Sequence, residues 1–223
     1  MSPRDAAERR TLSVRVWRQA GPHDQGRFET HRITVSPALS ILDMLDRLNA
    51  QIVAEGGEPV EYEADCLEGI CGACGVTVDG VPHGPVPKTA SCLQHVRSLG
   101  DEVTIEPLRS AVFPVIRDLV VDRSALHEVL GEGGTVAVDV GTAPDADALP
   151  VCNDVAEEAL DFAACIACGA CVAACPNGSA QLLAGAKLAH LALLPQGRVE
   201  RGRRARAMLE AVDAHFGPCS SYG

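Results

Sequence analysis

Eight of ten cysteines fall in two groups, and that arrangement constrains the chain more than any other feature. Cys66, Cys71, Cys74 and Cys92 form the first group, and Cys165, Cys168, Cys171 and Cys175 form the second; Cys152 stands just ahead of the second and Cys219 near the end. The opening stretch MSPRDAAERR has no apolar run for a secretory signal, and its Asp5 and Glu8 do not suit an acid-poor transit peptide. The chain therefore reads as cytoplasmic, where thiols stay reduced. Ten cysteines in 223 residues also fall below the ~8–10% of secreted disulfide scaffolds. Ligation of metal is the leading reading, and two groups imply two domains.

Composition excludes other functions. With 19 basic against 30 acidic residues and a formal charge of -11, the chain is no general binder of phosphate backbones. One Trp, two Tyr and four Phe are too few for stacking on successive bases, so no nucleic-acid partner is expected. The longest apolar candidate for a membrane span, Leu182 to Leu194, is interrupted by Lys187 and His190 and falls short of the roughly 18 residues required.

Periodicity divides the chain in the same way as the cysteines. Leu12 to Arg18 and Arg27 to Val35 read as strands, and Ile41, Leu45, Leu48 and Ile52 follow at helical spacing. Asp79-Gly80 marks a hairpin turn after Val76 and Val78, and Val103 and Ile105 alternate as another strand. The result is a small mixed sheet with one helix across it. Gly131 to Pro150 is rich in Gly, Pro and Asp and reads as a connector, with a strand-like Val136, Val138 and Val140 inside it. Beyond it, helices are expected over Asp154 to Ala164, within the cysteine run, over Ser179 to Leu194 and over Glu200 to Ala214. The basic cluster Arg198, Arg201, Arg203, Arg204 and Arg206 is either a solvated helix face or a contact for a partner or an anionic membrane.

The spacings carry the chemistry. Cys66-Leu-Glu-Gly-Ile-Cys71-Gly-Ala-Cys74, with Cys92 as the distant fourth thiol, has the C-x4-C-x2-C spacing of plant-type two-iron ferredoxins. Gly69, Gly72 and Gly75 would admit positive φ and let backbone amides approach the sulfurs. Zinc is the alternative, although structural zinc favours paired C-x2-C knuckles. Cys165-Ile-Ala-Cys168-Gly-Ala-Cys171-Val-Ala-Ala-Cys175-Pro176 is the C-x2-C-x2-C-x3-C-P run of bacterial ferredoxins, whose fourth cysteine serves the other cluster of a pair. Three thiols a helical turn apart are expected to wrap one cubane. Cys219 is the one well-placed thiol left for a second cluster. In Cys219-Ser-Ser-Tyr222 a Tyr stands where a cubane motif would have its next Cys, which a three-iron cluster tolerates. Cys152 fits neither group and reads as a free buried thiol.

Those two motifs in that order, followed by a lone late cysteine, resemble the iron–sulfur subunit of succinate dehydrogenase and fumarate reductase. The resemblance covers residues 11 to 223 and includes CLEGICGACGV, EPLRSAVFPVIRDLVVDRS and CIACGACVAACPNGSA. GTAPDADALP, AACPNGSAQLL and HLALLPQGR are similar to the actinobacterial variant. The fold this implies is α+β: a β-grasp plant-type [2Fe-2S] ferredoxin-like domain over 1–112, a connector over 113–150, and an all-α bacterial-ferredoxin-like domain over 151–223. By the family pattern Cys66, Cys71, Cys74 and Cys92 would hold [2Fe-2S], Cys165, Cys168 and Cys171 would hold [4Fe-4S], and Cys175 and Cys219 would hold [3Fe-4S]. The implied activity is electron transfer in a quinone-dependent succinate dehydrogenase. FAD would lie in a partner flavoprotein, and a membrane-anchor cytochrome b subunit with its quinone would hold the chain on the cytoplasmic face of the plasma membrane. No residue of this chain is expected to be catalytic.

The chain also departs from the family. Two further ligands of the pattern belong to a C-x3-C-P segment that would start just beyond Gly223, so the chain reads as truncated at its C-terminus. The family's Trp after the CP and His after the late cysteine, both near the quinone, are replaced by Asn177-Gly178-Ser179 and Ser220. The span from Cys74 to Cys92 carries an insert, VPHGPVPK with His83 and Lys88, expected as a longer surface loop. Fumarate reduction in reverse, a free-standing ferredoxin-like carrier and a zinc-bound adaptor are the competing readings.

Overall fold

Alternating apolar residues build the first half of the protein. In the computed structural model, which describes residues 9–135, 151–194 and 197–217, Leu12, Val14 and Val16 point inward from strand β1 (Arg10–Arg18) and are fully buried. β1 pairs antiparallel with β2 (Arg27–Val35), Val14 opposite His31, and parallel with β5 (Glu102–Pro107), Val14 opposite Val103. β3 (Val76–Val78) runs antiparallel to β5 and turns into β4 (Val81–Pro82) through Asp79 and Gly80, both at positive φ as a tight hairpin requires. The sheet order is β2-β1-β5-β3-β4.

Helix α1 (Ile41–Ala54) supplies the other side of this core through Ile41, Leu42, Met44, Leu45, Leu48 and Ile52. Its start is set by sequence: Ser40 Oγ accepts the Asp43 N–H at 3.1 Å while Asp43 Oδ2 accepts the Ser40 N–H at 2.9 Å, a reciprocal capping box. The short ribbon β6 (Val115–Arg117) and β7 (Val120–Val121) follows the sheet. Asp118 in its turn is buried, accepting the Gln19 N–H at 2.8 Å, Arg18 Nε at 3.3 Å and the Glu61 N–H at 3.0 Å. This fold of sheet and helix, followed by a helical half, is the expected α+β class.

The chain divides into two compact units, Met1–Asp122 and Arg123–Gly223. The second holds α2 (Ser124–Gly133), α3 (Asn153–Ala163), α4 (Ala170–Ala174), α5 (Gln181–Ala192) and α6 (Gly197–Phe216). Among the described residues no helix is long and apolar enough to cross a membrane.

Four expectations need correction. Gly131 to Gly133 belong to α2 rather than to a connector, because Gly133 is where α6 comes closest: a Cβ there would stand 2.6 Å from Met208 Cγ and 3.0 Å from the Arg204 carbonyl. Arg204 is not part of a solvated or docking face. It is buried and donates to the carbonyl of Gly133 and, at 2.8 Å, to that of Thr135, placing a cation at the negative end of α2. The other four arginines of the cluster are exposed. His83 is buried, so the insert is not wholly a surface loop, and Cys152 is exposed rather than buried. The strand-like Val136, Val138 and Val140 lie outside the described residues.

Candidate metal centres

Cys66, Cys71 and Cys74 of the first group lie in an irregular loop after Tyr62, where three residues take left-handed φ, Leu67 (57°), Gly69 (72°) and Gly72 (76°), and Cys92 lies in the 3-10 turn Ser91–Leu93. These reversals turn successive N–H groups inward. Cys66 Sγ accepts from Glu68 at 3.3 Å and from Ile70 and Cys71 at 3.4 Å, and Cys71 Sγ accepts from Ala73 at 3.4 Å. The amides of Glu68, Ile70 and Cys71 bring the Cys66 thiol down to about 7. Gly69 owes its identity to its φ of 72°; a Cβ there would also press on Leu93 Cδ1, next to Cys92, at 2.8 Å. Leu67 was not foreseen as a left-handed position. Non-glycine residues held there carry strain of order 1–3 kcal/mol, a common mark of ligand loops. Gly75, by contrast, is not at positive φ; its glycine is needed because a Cβ would stand 2.8 Å from Leu108 Cδ2.

Cys74 and Cys92 form the buried half of this group. Burial pushes the Cys74 thiol up to about 12, and the adjoining thiols of Cys92 and Cys71 act on it as well. All four sulfurs are thus brought into one neighbourhood.

In the second group Cys165 and Cys168 are not helical. Ala167 (φ 55°) and Gly169 (φ 84°) break the regular turn, and only Cys171 lies within α4. The three thiols still lie close enough to act on one another. Burial pushes Cys168 and Cys171 up, with Cys165 acting on both. Ala170 N–H meets Cys168 Sγ at 3.5 Å. Two cations address this loop: Lys187 Nζ donates to the Cys165 carbonyl at 2.8 Å, and Arg123 to the Cys168 carbonyl at 3.5 Å. Neither was anticipated, although a lysine in a mostly apolar helix was a usable signal.

Cys175 stands apart at the end of α4, in its own set of amides; the N–H groups of Ser179, Asn177 and Gly178 lower its thiol. Cys219 lies outside the described residues. Among the described residues no three His, Cys, Asp or Glu side chains converge on a single-ion position. An iron–sulfur cluster distributes thiolates over several irons and takes hydrogen bonds at its sulfurs. Loops of thiols lined with N–H donors fit a cluster.

The comparisons agree with this chemistry. The 2Fe-2S iron-sulfur cluster binding domain matches residues 13–128, more than half of the chain, and the 4Fe-4S binding domain matches residues 159–180. The succinate dehydrogenase iron-sulfur subunit of Bacillus subtilis is 27% identical over 92% of this chain and 81% of its own length. The fumarate reductase iron-sulfur subunit of Escherichia coli O157:H7 is 30% identical, covering 77% of this chain and 66% of that protein. The fold is similar to a chain of the Mycobacterium smegmatis Sdh1 complex in the apo form, with a TM-score of 0.64 at 23% identity over 94% of this chain and 83% of the other. With a two-iron domain in its sheet unit and a four-iron domain in its helical unit, the chain belongs to the family of succinate dehydrogenase and fumarate reductase iron–sulfur subunits.

Proposed function

We propose that the chain is the electron-transfer subunit of a succinate:quinone oxidoreductase. Cys66, Cys71, Cys74 and Cys92 hold [2Fe-2S], Cys165, Cys168 and Cys171 belong to [4Fe-4S], and Cys175 and Cys219 belong to [3Fe-4S]; domains over 1–112 and 151–223 carry them. When bound, these clusters supply one-electron carriage between a FAD-containing flavoprotein and a quinone at a membrane-anchor subunit. The chain's own residues orient the thiolates, aim amide dipoles at the sulfurs and place Lys187 and Arg123 beside the second loop. The protein sits at the cytoplasmic face of the plasma membrane through its partners, and dicarboxylate chemistry belongs to the flavoprotein.

One observation carries this reading: two thiol loops lined with N–H donors lie in the order two-iron then four-iron, within a chain related over 92% of its length to a succinate dehydrogenase subunit. The relation to fumarate reductase subunits keeps the reverse direction as the second reading. The test is the anaerobic complex isolated through a tag on this chain. Succinate should reduce the two-iron cluster in it and so bring up the paramagnetic signal of the reduced form. A co-purified flavoprotein absent, and a signal that responds to dithionite but never to succinate, would favour a free-standing carrier.

A further inference from the structure

The insert between Cys74 and Cys92 does more than lengthen a loop. Lys88 is exposed, as a surface loop would have it, but His83 is only 8% exposed. Its backbone N–H donates to the Val76 carbonyl at 2.7 Å, two residues after Cys74. Its Nδ1 accepts the backbone N–H of Ser91 at 3.2 Å, one residue before Cys92. With that N–H aimed at it, Nδ1 is an acceptor, so the Ser91 hydroxyl 3.0 Å away donates to the same nitrogen. Ser91 Oγ in turn accepts the Val76 N–H at 3.5 Å. The ring also faces Gly75, its Cε1 3.7 Å from where a Cβ would stand. His83 thereby ties together both backbone segments that carry the buried thiols, its backbone N–H holding the Val76 side and its ring the Ser91 side, with the Ser91 hydroxyl linking back to Val76.

Gln94 holds the rest of the insert. Fully buried, it accepts the Val86 N–H at 3.1 Å and donates to the carbonyls of Val86 at 2.7 Å and Thr89 at 3.1 Å. Gly84, at φ 119°, leaves its side chain room, since a Cβ would stand 3.1 Å from Gln94 Cδ. Breaking any of these bonds strands a buried polar group, which is why the insert holds one shape.

We propose that His83 is a positioning residue for the first cluster: it sets the separation and orientation of Cys74 and Cys92, and with them the environment of the iron they hold. This rests on the ligand set assigned above. Outer partners that orient ligands are worth roughly 10- to 100-fold in metal affinity when removed.

Asn at position 83 keeps an acceptor where Nδ1 stands, and Ala removes it. The test uses the full chain carrying His83→Ala or His83→Asn, purified without oxygen, with the four-iron signal as internal reference. His83→Ala is expected to shift the g-values and midpoint potential of the two-iron signal and to lower iron retention against a chelator roughly 10- to 100-fold. His83→Asn is expected to return all three towards the unmodified protein. An Ala variant with unchanged g-values, potential and retention overturns the proposal, as does an Asn variant as impaired as Ala. Should His83→Ala not accumulate, Ser91→Ala deletes only the hydroxyl and is expected to shift the same g-values; unchanged g-values there overturn it too. A Cys92→Ser variant separates the two levels: a two-iron signal that persists unchanged in it defeats the ligand assignment and the role of His83 with it, whereas a signal lost or altered there but unchanged in His83→Ala overturns the role of His83 alone.

Discussion

The backbone N–H of Cys71 donates to the sulfur of Cys66 at 3.4 Å, so one proposed ligand helps hold its neighbour as a thiolate. With the amides of Glu68 and Ile70 it brings Cys66 to about 7, whereas burial keeps Cys74 near 12. An acid with a lowered pKa is ionised above that value, so in the metal-free chain Cys66 is half thiolate near pH 7 and Cys74 stays protonated until strongly alkaline pH. Alkylation followed by peptide mass spectrometry should label Cys66 well ahead of Cys74 at neutral pH. Equal rates at the two sites would contradict the role given to the loop amides.

Cys71→Ser should abolish the two-iron signal and leave the four-iron signal intact, because the two cysteine groups lie in separate compact units, Met1–Asp122 and Arg123–Gly223. Low-temperature paramagnetic resonance of the reduced variant checks this. Simultaneous loss of both signals would show that the units do not form independently.

Arg18 and Asp118 make a buried ion pair at 3.3 Å, and Arg18 also donates to the carbonyls of Glu58 and Pro59. Asp118→Ala leaves Arg18 Nε and the N–H groups of Gln19 and Glu61 without this acceptor, while Glu29, 3.6 Å from Arg18, still offsets the charge, and should destabilise the first unit by about 3 kcal/mol. Denaturant unfolding followed by Trp17 fluorescence reads it. A loss under about 1 kcal/mol, the range of exposed pairs, would contradict the burial argued for this site.

Lys187 places a positive charge 2.8 Å from the Cys165 carbonyl. Positive charge favours the more negative, reduced form of a cluster, so Lys187→Met should lower the four-iron midpoint potential by about 1 kcal/mol, roughly 40 mV for one electron. Lys187→Arg should preserve it. Redox titration distinguishes these outcomes from a role limited to packing, in which Met and Arg would behave alike.

Much of this architecture was legible in local pattern. Period-two alternation in Leu12, Val14 and Val16 located β1, helical spacing of Ile41, Leu45, Leu48 and Ile52 located α1, and cysteine spacing located both loops. Long-range contacts left no such trace. The bond of Arg204 to Gly133 joins residues 71 apart, and the Arg18–Asp118 pair spans 100, so a basic run read as surface and a glycine-rich run read as connector. Left-handed Leu67 and Ala167 were hidden because neither residue type advertises positive φ. His83 was hidden because nothing within VPHGPVPK shows that Ser91 and Val76 will close around it.

The most direct test of the electron-transfer assignment is iron, zinc and acid-labile sulfide per chain, measured with low-temperature paramagnetic resonance on protein prepared without oxygen. The account predicts iron with matching sulfide, negligible zinc, and distinct two-iron and four-iron signals after reduction, with a three-iron signal in the oxidised protein. A colourless protein carrying zinc, without labile sulfide or a paramagnetic signal, would contradict it.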